Sequence, residues 1–231
     1  MNIFYAPPEQ ISVEEIELVE QEAHHASRVL RYSEGEIITV VDGQGGWYIG
    51  HITRITRSSV RIAISEKREA AQGLPRLVLG MGIIKQRDRQ EFAVEKAVEL
   101  GASQIVLFQS QHTEKNKVRT NRLELIALSA MKQSMRAWLP DIEVASSLEE
   151  CLDLFPDHRL LIAHEKLDGE VGIKNEYAGE TGLVLLVGPE GGFSEEEVEL
   201  AASRGAERVS LGSYRLRAET AAVTMLSQFL R

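Results

Sequence analysis

The chain has 231 residues, of which 26 are Lys or Arg and 35 are Asp or Glu, so its formal net charge is −9. Hydrophobic residues make up 43% and charged residues 26%, a composition typical of a folded globular protein and not of a disordered one. With Cys151 as its single cysteine, the chain has neither an intramolecular disulfide nor a Cys-rich zinc site. No apolar run reaches the roughly 18 residues of a membrane span, and the N terminus lacks a secretion-signal pattern. We therefore expect a soluble, cytoplasmic protein with no membrane partner.

Residues 1–72 are predicted to form a small β-barrel. Apolar and β-branched runs predict strands at 2–6, 36–41, 46–55 and 59–64. A helix is expected over 20–31, and the stretch 71–75 is the best candidate for a linker.

From Arg76 onward, strand patterns alternate with helix patterns, which predicts an α/β domain with a mainly parallel sheet. The predicted strands cover 76–81, 104–108, 159–163, 183–187 and 207–211. The predicted helices cover 88–100, 121–138, 147–155, a segment from 194 and the end of the chain from 217. The polar stretch 110–120 is predicted to be a loop.

The charge is uneven along the chain. Residues 73–140 contain 11 basic and six acidic residues, whereas the segments on either side are acidic. A basic segment in an acidic protein is compatible with one face that binds a polyanion such as nucleic acid. The counts alone favour the simpler interpretation, which is charges on a solvated helix surface.

The strongest local pattern is a glycine loop, residues 188–192, which leaves an apolar strand and enters a helix. Ser194 and Glu197 have the spacing of a capping box. Glycines at the carboxyl end of such a strand let a ligand approach the backbone closely. The loop lacks the Lys-Ser/Thr pair of a P-loop and the spacing of a dinucleotide fingerprint. The three glutamates that follow favour a cationic or neutral ligand. A tight structural turn explains the loop equally well.

A second glycine turn, residues 211–217, joins another strand to a helix of small residues and carries Arg215 and Arg217. Small residues allow close packing beneath an earlier loop or against a second copy of the chain. His164 and Glu165 follow the predicted strand 159–163, where they either contact a ligand or lie at an exposed strand end.

A third pattern lies at the end of the predicted helix 121–138. Helical spacing would put Lys132 and Arg136 on one face and Gln133 three residues from Arg136. An amide beside a guanidinium suits a nucleobase edge or a phosphate. Cations that complement the helix dipole explain the same residues. The predicted helix 20–31 carries further candidates for RNA contact, since His25, Arg28 and Arg31 lie along it.

Taken together, these segments resemble the bacterial 16S ribosomal RNA uridine N3-methyltransferase family, a branch of the SPOUT (trefoil-knot) methyltransferases. The resemblance runs nearly end to end and rests on residues 24–35, 85–101, 133–140, 188–192 and 211–221. It implies a PUA-like β-barrel RNA-binding domain over 1–72 and a knotted SPOUT-type α/β domain over 73–231 that binds S-adenosylmethionine and forms a homodimer. The knot follows from the resemblance alone, since knots are rare.

The resemblance implies methyl transfer from S-adenosylmethionine to N3 of a uridine in 16S ribosomal RNA, without a metal. Its catalytic candidates are Arg136, Arg217 and Gln133. Its cofactor-binding candidates are His164, Glu165, Gly188, Pro189, Glu190, Gly191, Gly192, Leu211, Gly212, Arg215 and Leu216. Its RNA-binding candidates are His25, Arg28, Arg31, Lys85, Arg87, Arg89 and Lys132.

Two positions depart from the family pattern. Leu123 stands where the family usually has Trp after Arg, and Lys132 stands where it usually has a glutamate. No general base is identifiable: Glu190 is the carboxylate within the glycine loop, and bracing the glycines is a sufficient role for it. Two alternatives stay open: a ribose 2′-O-methyltransferase of the same superfamily, and a ribosomal-RNA-binding assembly factor without catalysis.

Overall fold

A computed structural model of the protein describes residues 2–73, 75–114, 117–164, 177, 180 and 182–230. The chain divides into two compact units. The first consists of Met1–Gln72 with Met131–Leu139, and the second of Gly73–Ala130 with Pro140–Arg231. The segment Met131–Leu139 therefore joins the β-rich unit although it follows a long part of the α/β unit in sequence.

The first unit is built on a curled, five-stranded half-barrel. Its strands are β1 (Ile3–Tyr5), β2 (Glu15–Val19), β3 (Ile37–Val41), β4 (Gly46–Ile55) and β5 (Ser59–Glu69), in the order β1-β3-β4-β5-β2. Two register shifts between β4 and β5 interrupt the ladder, and such irregularities bend and twist a sheet. Strand β2 was not predicted. Its buried residues Ile16 and Leu18 alternate with less buried neighbours, as expected for a strand with one face on the core.

The predicted helix over 20–31 is confirmed in shortened form. It begins as α1 (Glu20–His24) and continues directly as a π-helical turn, His25–Val29. Ala23 and Ala26 are buried in the core of the first unit, which also contains Phe4 and Leu18. Short alanine side chains let the helix backbone approach the sheet closely.

The second unit contains a six-stranded sheet in which every neighbouring pair is parallel. The strands are β6 (Arg76–Gly82), β7 (Ala102–Phe108), β8 (Asp141–Ala145), β9 (Arg159–Ala163), β10 (Gly182–Val187) and β11 (Glu207–Val209), in the order β11-β9-β10-β6-β7-β8. The central strands β6 and β10 are buried throughout most of their length, as continuous apolar runs in parallel sheets are. Strand β8 was not predicted, because it lies at the sheet edge and its residues are mostly polar or exposed.

The helices of this unit are α2 (Arg87–Glu99), α3 (Thr120–Gln133), α4 (Leu148–Asp153), α5 (Glu195–Ser203) and α6 (Ala218–Ser227). Cys151 on α4 lies in the hydrophobic core, where burial raises the pKa of its thiol to about 12. The thiol is therefore a structural part of the core. Within the described part of the chain, no helix has both the length and the apolar character needed to cross a bilayer.

The end of α3 corrects a prediction. The helix stops at Gln133 and not at residue 138. Met135 adopts a left-handed conformation (φ +57°), its N–H donates to the Lys132 carbonyl, and the Arg136 N–H donates to the Met131 carbonyl at 2.9 Å. This is a Schellman C-cap. Arg136 therefore lies beyond the helix and shares no helical face with Lys132 or Gln133.

Candidate active site

The parallel sheet brings distant segments of the second unit to one edge. Because β9, β10 and β11 run in the same direction, the residues that follow them emerge at the same end of the sheet. His164 follows β9, the glycine loop 188–192 follows β10, and the turn 211–217 follows β11. The order β11-β9-β10 puts β9 between the two glycine-bearing turns, so the strands that lead into them are about 10 Å apart.

The ends of β9 and β11 are joined directly. The His164 N–H donates a 3.0 Å hydrogen bond to the carbonyl of Val209, which ends β11 two residues before the turn 211–217. In that turn Gly212 has a φ of +130°, which favours glycine. Arg215 is exposed, whereas Leu211 and Leu216 are half-buried. Glu165 lies outside the described residues.

The glycine loop is closed on itself. A Cβ on Gly188 would lie 3.0 Å from the backbone of Gly192 and Phe193, and the Gly192 N–H donates to the Pro189 carbonyl at 2.9 Å. Gly192 itself has a left-handed backbone (φ +72°). Phe193 then stacks on Phe108 at the end of β7, with ring centroids 6.1 Å apart. A side chain at position 188 would therefore press against the loop backbone, and the backbone conformation at position 192 favours glycine.

The end of β6 packs directly against this loop. A Cβ on Gly82 would lie 2.6 Å from Pro189 Cδ and 2.7 Å from Pro189 N. Glu190 reaches the same segment, since its Oε1 accepts a 3.0 Å hydrogen bond from the Lys85 N–H. The contact gives Glu190 a bracing position. The Lys85 ammonium forms an ion pair of 2.7 Å with Glu114.

A buried carboxylate joins the loop after β7 to α5. The predicted capping box is confirmed, because Ser194 caps α5 and Glu197 bonds back to the Ser194 N–H at 2.9 Å. Glu197 is only 6% exposed and also accepts hydrogen bonds from Ser110 Oγ (2.9 Å) and the Gln111 N–H (3.1 Å). The three donors hold the carboxylate between two loops of the same sheet edge.

His112 contacts the glycine loop from the β7 side. Its Nδ1 lies 3.1 Å from the Gly192 carbonyl oxygen, and a Cβ on Gly191 would lie 2.8 Å from the His112 Cβ. The next residue, Thr113, donates through Oγ1 to the Ile83 carbonyl at 3.3 Å. The loop after β7 was not among the predicted site residues. Its position after a predicted parallel strand was the signal that pointed to it.

The arginine at the start of α6 belongs to the second unit. Arg217 is exposed, and its carbonyl accepts a 2.8 Å hydrogen bond from the Ala221 N–H. On α2, Arg87 is exposed at the first position and Arg89 lies 3.6 Å from Glu219 of α6.

The remaining candidates lie in the first unit. Arg136 is half-buried, and desolvation lowers the pKa of its guanidinium. Lys132 forms an ion pair with Glu22 of α1, which neutralises its charge. Gln133, Arg28 and Arg31 are exposed. His25 is half-buried, and its ring centroid lies 5.7 Å from that of Phe4.

The sheet edge fits a ligand that is bound through backbone groups. A Cβ on Gly192 or on Gly212 would meet nothing within 4 Å, so both turns expose bare backbone to open space. Among the described residues, no three His, Cys, Asp or Glu side chains are placed to hold a metal ion together. The exposed backbone groups of these two turns can therefore form hydrogen bonds with an organic ligand.

Comparisons with known proteins cover both units. A family model described as an RNA methyltransferase domain matches residues 72–230, and one described as an RNA methyltransferase PUA domain matches residues 19–65. The chain is 30% identical over 209 residues to ribosomal RNA small subunit methyltransferase E of Rickettsia conorii, which covers 89% of this chain and 84% of that protein.

Two solved structures are similar over nearly the whole chain. One is a probable rRNA-methyltransferase from Porphyromonas gingivalis, with a TM-score of 0.86, 34% identity and coverage of 99% of this chain and 96% of that one. The other is ribosomal RNA small subunit methyltransferase E from Neisseria gonorrhoeae bound to S-adenosyl methionine, with a TM-score of 0.85, 29% identity and the same coverage.

Proposed function

Because the chain belongs to the RNA methyltransferase family, we propose that it transfers a methyl group from S-adenosylmethionine to N3 of a uridine in 16S ribosomal RNA. The observation that supports the proposal is that the glycine loop 188–192, His164 and the turn 211–217 all follow neighbouring parallel strands and so lie at one edge of the sheet. The fold match to a relative with S-adenosyl methionine bound supports the same cofactor here.

The cofactor is proposed to bind at this edge. S-adenosylmethionine supplies a methyl group that is already activated on a sulfonium. The protein therefore has to bind the cofactor and the RNA base, orient them for transfer and exclude competing reactions. The backbone of 188–192, with Gly212 and Leu216 in the turn 211–217, would hold the adenosyl part. The acidic first turn of α5, residues 195–197, is compatible with a cationic ligand and disfavours a phosphate.

The target uridine must be unpaired or flipped out, because base pairing occupies N3. Loss of the N3 proton spreads negative charge onto both carbonyl oxygens of the base. We assign Arg217 to stabilise that charge, as donors do in an oxyanion hole. The roles of Arg136 and Gln133 at the base rest on the family resemblance and on the suitability of a guanidinium and an amide for a nucleobase edge.

The RNA contacts are proposed for both units. In the first, the PUA-like match supports binding by Arg28 and Arg31, which are exposed near the end of the α1 and π-helical segment. In the second, Lys85, Arg87 and Arg89 follow the end of β6. Since Lys132 is paired with Glu22, its part in RNA binding requires that ion pair to open.

We further propose that the enzyme is a homodimer and acts in the cytoplasm, where ribosomal RNA is. Tyr214 is 86% exposed on the turn 211–217 and is followed by the small residues of α6, an arrangement suited to contact with a second copy. Sedimentation velocity at micromolar concentration tests the dimer, and a monomer under all conditions contradicts it.

One pair of measurements tests the function. Calorimetric titration with S-adenosylmethionine should give one site per chain, and small subunits from a strain lacking the enzyme should accept tritiated methyl groups. Digestion to nucleosides should then yield N3-methyluridine. A 2′-O-methylated product would favour the ribose alternative, and RNA affinity without cofactor affinity would favour the assembly factor.

A further inference from the structure

The loop after β7 carries a histidine in a defined hydrogen-bonding arrangement. His112 Nδ1 lies 3.1 Å from the Gly192 carbonyl oxygen in the glycine loop. A carbonyl oxygen only accepts hydrogen bonds, so Nδ1 is the nitrogen that bears the proton. In the neutral ring this leaves Nε2 with its lone pair.

The ring is held in place by more than this bond. The His112 Cβ packs on Gly191, where a methyl group would approach to 2.8 Å. The neighbouring Ser110 and Gln111 are fixed by the buried carboxylate of Glu197, and Thr113 is fixed by the carbonyl of Ile83. Within the described part of the chain, no hydrogen bond to Nε2 is formed, and His112 is exposed.

Resting on the proposed function, we propose that His112 is the general base that accepts the N3 proton of the target uridine. The N3–H bond breaks and its proton passes to His112 Nε2, while N3 forms the new bond to the methyl carbon. The bond from that carbon to sulfur breaks, and its electron pair stays on sulfur. The exposed imidazolium then returns the proton to water.

The hydrogen bond from His112 Nδ1 to the Gly192 carbonyl oxygen orients the ring as a general base requires. A backbone carbonyl fixes the tautomer through Nδ1, as a carboxylate does in other histidine bases. General-base catalysis typically contributes 10²–10⁴-fold to a rate. The carboxylates near His112 do not replace it, because Glu197 is buried and bound to three donors and Glu190 braces Lys85.

The test compares His112→Ala and His112→Asn with the intact enzyme on 16S ribosomal RNA substrate. We expect single-turnover methylation to fall about 100-fold in both variants, with S-adenosylmethionine affinity changed by less than about threefold. Free imidazole should restore at least tenfold of the lost rate in His112→Ala. Gly82→Ala, which disturbs the loop without removing a base, should gain nothing from imidazole.

Two further measurements distinguish a proton-accepting role of His112 from a purely structural one. RNA transcribed with 5-fluorouridine has a more acidic N3–H, so the rate deficit of His112→Ala should shrink on it. In ¹⁵N NMR spectra of the intact protein without RNA, the His112 signals should show the neutral ring protonated on Nδ1. A proton on Nε2, or a rate deficit that neither imidazole nor 5-fluorouridine reduces, overturns the proposal. The wild-type activity measured alongside tests the proposed function separately.

A second inference rests on a different feature, an open cleft in the second unit. It lies between the first turns of α2 and α3 and is lined by four cationic side chains, Arg87, Lys117, Arg119 and Arg122. Its acidic lining residue, Glu91, lies 3.3 Å from Arg122. Within the described part of the chain, the other three cations form no ion pair.

The floor of the cleft is apolar and continuous with the active-site edge. Ile83 and Ile84 form part of it, and the next residue, Lys85, bonds to Glu190 of the glycine loop. The Arg119 carbonyl accepts from the Arg122 and Leu123 N–H groups, so the positive end of α3 also faces this region. We infer that the cleft binds a backbone phosphate of the RNA next to the target nucleotide, which rests on the proposed function.

Arg119→Ala tests this inference by direct RNA binding. We expect affinity for a 16S ribosomal RNA fragment, measured by fluorescence anisotropy, to fall about tenfold. The slope of log affinity against log salt should fall by about one. S-adenosylmethionine affinity should stay the same. Arg204→Ala is the control, because it also removes one arginine, but Arg204 is paired with Asp153 on α4 and does not line the cleft. An unchanged affinity and salt slope for Arg119→Ala overturns the inference, whether or not the enzyme methylates RNA.

Discussion

Ser110 Oγ donates a 2.9 Å hydrogen bond to Glu197 Oε2, which joins the loop after β7 to the first turn of α5 over 87 residues of chain. The same carboxylate receives the N–H groups of Gln111 and Ser194. One buried side chain therefore fixes the loop that carries His112 and the end of the glycine loop 188–192. The geometry of this edge of the sheet therefore depends on Glu197.

Replacing Glu197 with Gln should disturb both loops. Three donors face the carboxylate, so an amide nitrogen would oppose at least one of them and leave a buried donor without an acceptor. We expect a loss of about 2 kcal/mol in unfolding free energy and roughly tenfold weaker S-adenosylmethionine binding. Chemical denaturation and calorimetry measure the two effects. Glu196→Gln is the control, since Glu196 is exposed and accepts one hydrogen bond, from Gln111 Nε2. It should change neither the stability nor the cofactor affinity. Equal effects of the two variants would contradict the role given to the buried carboxylate.

Gly82→Ala should push the glycine loop out of position. The added methyl group would lie 2.6–2.7 Å from Cδ and N of Pro189, and the loop backbone has no flexible side chain that can move aside. We expect at least tenfold weaker S-adenosylmethionine binding by calorimetry. Gly73→Ala supplies the control, since its methyl group would meet nothing within 4 Å. Unchanged affinity in Gly82→Ala would show that the loop tolerates displacement.

Gly192→Val should abolish cofactor binding in a protein that still folds. The residue has a φ of +72°, a conformation that costs a β-branched residue about 1–2 kcal/mol, and space around it is open. Gly205→Val is the matched control. Gly205 also has a positive φ (+84°) with open space around it, but it follows α5 and lies outside the glycine loop. Both variants should lose similar stability in thermal melts. Retained cofactor affinity in Gly192→Val would remove the loop from the binding site.

Arg136→Ala should separate methylation from cofactor binding. The half-buried guanidinium follows the C-cap of α3, and desolvation already lowers its pKa. We expect S-adenosylmethionine affinity to stay within about twofold and methylation of ribosomal RNA to fall by a factor of about 100, as loss of one donor to a developing anion does. Full activity in a tritiated-methyl assay would exclude Arg136 from the reaction.

Cys151 should resist alkylation in the native protein. Burial raises the pKa of its thiol to about 12 from a usual value near 9, and the thiolate is the reactive form. A pKa raised by folding gives stability that is complete below pH 9 and is lost as the pH rises toward 12. Iodoacetamide at pH 8 should therefore label the protein only in denaturant. Rapid labelling without denaturant would show that α4 opens readily.

The sequence determined the local elements because short-range patterns specify them. Apolar runs located β6, β9 and β10, and Ser194 with Glu197 fixed the start of α5. The glycine-rich segment 188–192 was identifiable as a loop at a strand end for the same reason. Two local elements were predicted wrongly. The five-residue strand β2 was overlooked, and the end of α3 was placed too late because its left-handed residue is Met135 and not a glycine.

Only the tertiary structure decided which of these segments meet. The strand order β11-β9-β10-β6-β7 is a set of long-range pairings that no local pattern encodes. It places the glycine loop, the turn 211–217 and the His112 loop at one edge, although up to about a hundred residues separate them in the chain. The hydrogen bond that sets the tautomer of His112, and the ion pair of Lys132 with Glu22, depend on the same kind of distant contact. Residue type is a property of the sequence, whereas the partner of a side chain is a property of the folded packing.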